Sequence, residues 1–141
     1  KDIGYIYLET EPVDPRDFLS GTYVALKYPI SNPETCASIP PNYHDAIYVR
    51  LEDKGRKAVT SAGAVPVHEA AGCSVDKPTE GLWARGTLAP DLRGRRLIFG
   101  IERYYLNDND PLKNALSGSV LAKVHPDRNY GLRINGLVRR H

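Results

Sequence analysis

Apolar and polar residues alternate at every second position through most of this chain, and that period of two decides what it folds into. In "AIYVRLE", Ala46–Glu52, the pattern puts Ile47, Val49 and Leu51 on one face and Tyr48, Arg50 and Glu52 on the other. In "TYVALKY", Thr22–Tyr28, it puts Val24, Leu26 and Tyr28 inward and Tyr23, Ala25 and Lys27 outward. Ile3–Leu8, Leu82–Leu88, Val120–Val124 and Tyr130–Ile134 read as further strands. Arg95–Tyr105, "RRLIFGIERYY", reads as the longest: Leu97, Phe99 and Ile101 face in, and Arg103 and Tyr105 continue their phase. "DKG" at Asp53–Gly55 predicts a hairpin with Lys57–Ala62 returning beside it; "APDLRG" and "HPDRN" predict two more turns. Asp110–Leu116, "DPLKNAL", predicts the single helix, with Asp110 as N-cap and Pro111 at the first helical position. Pro29–Pro41 and Ala64–Gly81 read as long connections. The sum is a mainly β domain, an antiparallel barrel or sandwich of about eight strands with one short helix, the barrel favoured.

At 141 residues the chain makes one domain, 1–141. Its 19 basic and 17 acidic residues are interspersed and leave a net charge of +2, which excludes a nucleic-acid footprint. No run reaches the roughly 18 apolar residues of a membrane helix. The sequence starts at Lys1 and holds no Met, which predicts a fragment. Cys36 and Cys73 sit in loop-like stretches without a second Cys or a His at metal-ligand spacing, so neither a metal nor a cofactor is expected. In an exported protein the two can pair; in a cytosolic one they are separate thiols.

Candidate chemistry is sparse. "DPRD" gathers Asp14, Arg16 and Asp17 in one turn, which reads as an Asx-type corner before it reads as an acid–base pair. Arg103, if inward, requires a carboxylate partner, because an unpaired buried charge is costly; Asp14 and Asp17 are the candidates. Asp14, Arg16, Asp17, Tyr23, Lys27, Arg103 and Tyr105 therefore form one candidate binding or structural cluster. His44, His68, His125 and His141 are scattered and read as solvated, and Arg93–Arg96 reads as a solvated basic turn. No nucleophile elbow, phosphate loop or catalytic constellation is present.

"EPVDPRDFLSGTYVALKY" resembles the segment that names the GDYXXLXY family of bacterial proteins, through Gly21, Tyr23, Leu26 and Tyr28 in the family's spacing. "ARGTL" at Ala84–Leu88 and "FGIERYYLN" at Phe99–Asn107 are similar to later family segments. Thr22 stands where the family has Asp, so no role of that carboxylate carries over. The resemblance implies an N-terminal membrane helix, here preceding Lys1, and an extracytoplasmic domain on the periplasmic side of the inner membrane, in a family of uncharacterised function; the reading favoured for the function is a non-enzymatic module that meets an envelope protein. The alternative is a small-ligand binder or enzyme built on Asp14, Arg16, Asp17 and Arg103. A signal-peptidase-like lead-in is excluded, since Asp14 occupies the place of the nucleophilic Ser.

Overall fold

A computed structural model of the chain describes residues 4–13, 23–40, 42–91, 94–107, 109–112 and 116–141. Among them the fold is mainly β, with nine strands: β1 (Ile6–Glu9), β2 (Tyr23–Ala25), β3 (Ile47–Thr60), β4 (Gly63–Ser74), β5 (Trp83–Asp91), β6 (Gly94–Ile98), β7 (Arg103–Tyr105), β8 (Val120–Pro126) and β9 (Leu132–Arg139). Two single turns of 3-10 helix, Pro29–Ser31 and Glu34–Cys36, interrupt the first long connection. Seven strands form one curled half-barrel sheet in the order β6-β5-β3-β4-β1-β8-β9, and β2 pairs with β7 in a separate ribbon.

The curl follows from the length of β3. At 14 residues it serves different neighbours at its two ends. Its first half pairs with β5, Ile47 opposite Gly86. Its last residue, Thr60, bridges Arg140 just beyond β9, and the His141 N–H donates to the Val59 carbonyl at 2.9 Å. The right-handed strand twist accumulates across the sheet and brings its edge back onto β3. One pair departs from the antiparallel expectation: β1 runs parallel to β4, with Leu8 opposite His68.

Inward positions match the alternation. Ile47, Val49 and Leu51 of β3, Leu97, Phe99 and Ile101, and Val24, Leu26 and Tyr28 are all buried in one cluster with Ile6, Leu8, Val120, Ala122 and Val124. Each Val, Leu, Ile or Phe side chain among them contributes about 1.5–3 kcal/mol on burial. A smaller cluster, Ala58, Val67 and Leu121, fills the other side, where the β3–β4 hairpin bends over β8. The ribbon thus closes the concave face with Val24 and Leu26 and is tied at its base. The Glu11 N–H donates to the Lys27 carbonyl at 2.9 Å. The Ser117 hydroxyl donates to the Glu11 carbonyl at 2.5 Å and accepts the Lys27 N–H at 3.0 Å.

Several sequence expectations are corrected. Asp53–Gly55 is no hairpin: it lies within β3, where the pairing register shifts between Asp53 and Lys57. Gly55, at φ +94°, supplies the bulge, and its N–H donates to Asp53 Oδ1 at 2.9 Å. Lys57–Ala62 therefore does not return; it extends the same strand to a turn at Ser61–Ala62, closed by Thr60 Oγ1 donating to the Gly63 carbonyl at 2.8 Å. Most of Ala64–Gly81 is no connection but β4, an interior strand paired on both sides. Its run of small residues, "AAGCS", carries no period, and all five are half-buried, so neither face reads as core. Arg95–Tyr105 is two strands in two sheets, β6 and β7. Of the expected helix, Asp110 does accept the Leu112 N–H at 2.8 Å. Pro111 and Leu112 form a turn, and residues 113–115 lie outside the described residues.

Cys36 and Cys73 form a disulfide, with Cα atoms 5.4 Å apart. It fastens the second 3-10 turn to β4. Beside it, Arg95 Nη2 and Nη1 donate to the carbonyls of Ile39 and Pro40 at 2.7 and 2.8 Å, so that loop also grips β6.

Candidate binding groove

The break between β6 and β7 builds the site. Gly100 takes φ +89°, a conformation that side chains disfavour. Both Glu102 carboxylate oxygens turn back to hold it: Oε2 accepts the Phe99 N–H and Oε1 the Gly100 N–H, each at 2.9 Å. Phase is kept from Phe99 to Ile101 and shifts by one between Ile101 and Arg103. Ile101 stays buried, its carbonyl accepting the Tyr28 hydroxyl at 2.6 Å. Arg103 and Tyr105 then point outward, Tyr105 being 64% exposed. The inward Arg103 and Tyr105 expected from the sequence are thereby corrected: alternation holds through Ile101 and fails between Ile101 and Arg103, where the chain leaves the Gly100 turn for β7. Asp14, Arg16 and Asp17, and with them the proposed pairing with Arg103, lie outside the described residues.

The outer face of the β2–β7 ribbon is one surface. Tyr23 lies opposite Tyr105 and Ala25 opposite Arg103. The Tyr23 and Tyr105 rings meet edge to face with centroids 5.0 Å apart, and the Arg103 guanidinium sits 5.4 Å from the Tyr23 ring centre. Such contacts contribute about 0.5–1 kcal/mol each at exposed sites. Between this face and the outward residues of β6 lies a groove of about 430 Å³. Lys27 and Arg103 line its ribbon side, Arg96 and Ile98 its β6 side, with Gly100 and Glu102 between. Val13 borders it where the chain leaves the described residues. Among the described residues, Lys27, Arg96 and Arg103 line the groove together with Glu102, whose carboxylate oxygens are occupied by backbone N–H groups.

Of the sequence candidates, Lys27, Arg103 and Tyr105 line the groove and Tyr23 packs beside them. Arg96 and Glu102 were missed. Arg96 was legible as the outward neighbour of inward Leu97; it belongs to a strand rather than the solvated turn expected of Gly94–Arg96, and Arg93 lies outside the described residues. Glu102 had no signal, because its role depends on the Gly100 turn.

A second constellation lies on the opposite side of β1. Arg56 Nη2 contacts Glu9 Oε1 at 2.6 Å, and its Nη1 lies 3.6 Å from Glu69 Oε1. Arg140 Nη1 lies 3.6 Å from Glu9 Oε2. Two carboxylates meet two guanidinium groups, so the network balances its own charge. Beside it His68 is half-buried, with Nδ1 lacking a hydrogen bond. Burial lowers its pKa from 6.5, opposed by the charge of Asp53. His68 is therefore not the solvated side chain expected. His125 is not either: its Nδ1 lies 3.1 Å from the Gly4 carbonyl, and its ring packs on Tyr5.

The family model described as GDYXXLXY protein matches residues 4–127. The chain belongs to the GDYXXLXY family. No curated protein and no solved structure matches it. The residues that spell the family motif divide by role. Leu26 and Tyr28 are core side chains, whereas Tyr23 stands on the outer face beside the groove; Gly21 and Thr22 lie outside the described residues. Among the described residues no helix is long and apolar enough to cross a membrane, and no group of three or more His, Cys, Asp or Glu is placed to hold a metal ion.

Proposed function

We propose that this GDYXXLXY domain is a non-enzymatic binding module on the extracytoplasmic side of a membrane-anchored protein, and that its groove receives an anionic group of an envelope partner. The observation that carries this reading is the groove itself: Lys27, Arg96 and Arg103 line one concavity in which, among the described residues, the carboxylate is Glu102, spent on backbone N–H groups. Partner acids then meet the guanidinium of Arg103 and the ammonium of Lys27 on an exposed face. The Cys36–Cys73 disulfide supports an oxidising compartment. The groove's volume, about 430 Å³, also falls in the range of small-molecule sites and favours a small anionic ligand as the second reading.

The test is calorimetric titration of the oxidised domain with poly-L-glutamate at low and physiological salt. Salt-sensitive binding that is lost in Lys27→Ala/Arg103→Ala supports the reading. Binding unchanged in that variant, or none at low salt, refutes it. Tighter binding of glutarate than of the polymer transfers the conclusion to a small ligand.

A further inference from the structure

The ribbon offers more than charge. The Leu26 N–H donates to the Glu102 carbonyl at 2.8 Å, which makes that pair a hydrogen-bonded pair of the β2–β7 ladder. In an antiparallel ladder such pairs alternate with open ones. Ala25–Arg103 and Tyr23–Tyr105 are therefore open pairs, and the N–H and C=O groups of Arg103 and Tyr105 point away from β2. Among the described residues no backbone hydrogen bond reaches them from that side. Among the described residues β7 is thus a strand edge with unpaired donors and acceptors. A charged side chain on a short edge discourages indiscriminate pairing. Here that charge, Arg103, belongs to a groove that Lys27 also lines, so the same feature selects for acidity.

We infer that the occupant of the groove is an extended acidic protein segment that adds to the free edge of β7 as a third strand of the ribbon. The inference rests on the groove being the recognition surface and names its partner. Strand addition supplies main-chain hydrogen bonds, and alternate side chains supply specificity. A residue placed opposite Arg103 shares its face, with Cβ atoms about 5 Å apart. Asp or Glu there meets the guanidinium, while the residue opposite Tyr105 lies against its ring. Lys27, diagonal on the same face, extends the preference to a second acid.

The experiment titrates the oxidised domain with a short peptide alternating Glu and Thr, and separately with glutarate. It compares wild type, Arg103→Ala, Tyr105→Ala and Tyr105→Pro. Proline removes the Tyr105 N–H on the free edge and leaves the β2 ladder intact, a placement edge strands tolerate. Strand addition predicts that the peptide outbinds glutarate. It also predicts that Tyr105→Pro weakens peptide binding about tenfold beyond Tyr105→Ala, the effect of roughly one backbone hydrogen bond. Arg103 and Tyr105 amide exchange slows on binding, and circular dichroism confirms that each variant stays folded. Equal affinity of Tyr105→Pro and Tyr105→Ala overturns strand addition while leaving the anionic groove in place. Binding of neither peptide nor poly-L-glutamate overturns both.

Discussion

Tyr28 closes the family motif and lies entirely within the core, so its hydroxyl offers a clean perturbation. Tyr28→Phe keeps the ring and the volume but removes the donor to the Ile101 carbonyl, a buried bond of 2.6 Å. That carbonyl sits in the break between β6 and β7, where no ladder partner replaces the hydroxyl. Leaving a buried acceptor unsatisfied costs about 1–3 kcal/mol. For a chain of this length about 1 kcal/mol lowers the melting temperature by about 3 °C, so the variant should melt roughly 3–10 °C lower. Urea denaturation at neutral pH measures the free energy directly. The pH dependence gives a second arm. Burial foremost, and then the charge of Glu102, raises the Tyr28 pKa well above 10 in the fold. The associated stability is complete below pH 10, where both states keep the proton. It is lost as pH rises further, because the unfolded chain ionises first. Tyr28→Phe should lack this part of the alkaline decline. A variant within about 0.5 kcal/mol of wild type at neutral pH would show that the bond between Tyr28 and Ile101 does not hold the β6–β7 break.

Replacing both Cys36 and Cys73 with Ser frees a loop of sequence separation 37. Chain entropy then predicts a loss of about 4 kcal/mol by denaturant titration, and a loss below about 1 kcal/mol contradicts that account. Gly100→Ala meets no atom within 4 Å, so its cost is purely conformational, about 1–2 kcal/mol from the positive φ; a neutral substitution would place the break elsewhere. His68, with its pKa lowered from 6.5 by burial, binds its proton less readily in the fold than in the unfolded chain. Stability should therefore fall as pH drops below about 6.5 towards the depressed value, and His68→Gln should flatten that stretch of the pH profile.

The inward half of the fold was legible because burial writes itself into alternation: Ile47/Val49/Leu51 and Val24/Leu26/Tyr28 needed only the period of two. β4 was not, since its small residues from Ala70 to Ser74 are all half-buried and mark neither face as core. Glycine misled twice in opposite senses. At Gly55 positive φ makes a bulge inside a strand that read as a turn, and at Gly100 it ends a strand that read as continuous. The second error inverted the site, turning an inward Arg103 that required a partner into an outward one available to a ligand. Tyr23 stands on the outer face, where its phase in the alternation puts it. The charge balance of +2, spread over 19 basic and 17 acidic residues, gave no hint that three cations gather at one groove. That gathering joins β2, β6 and β7, and only the tertiary fold brings them together.

The central claim is that recognition occurs on the outer face of the β2–β7 ribbon and the adjoining side of β6. Amide chemical-shift mapping of the isotope-labelled, oxidised domain during titration with poly-L-glutamate tests it most directly. The account predicts shifts concentrated at Ala25, Lys27, Arg96, Gly100, Arg103 and Tyr105, fading with added salt. Shifts centred instead on the Arg56–Glu9–Arg140 network, or on the Asp127–Gly131 turn, would contradict it.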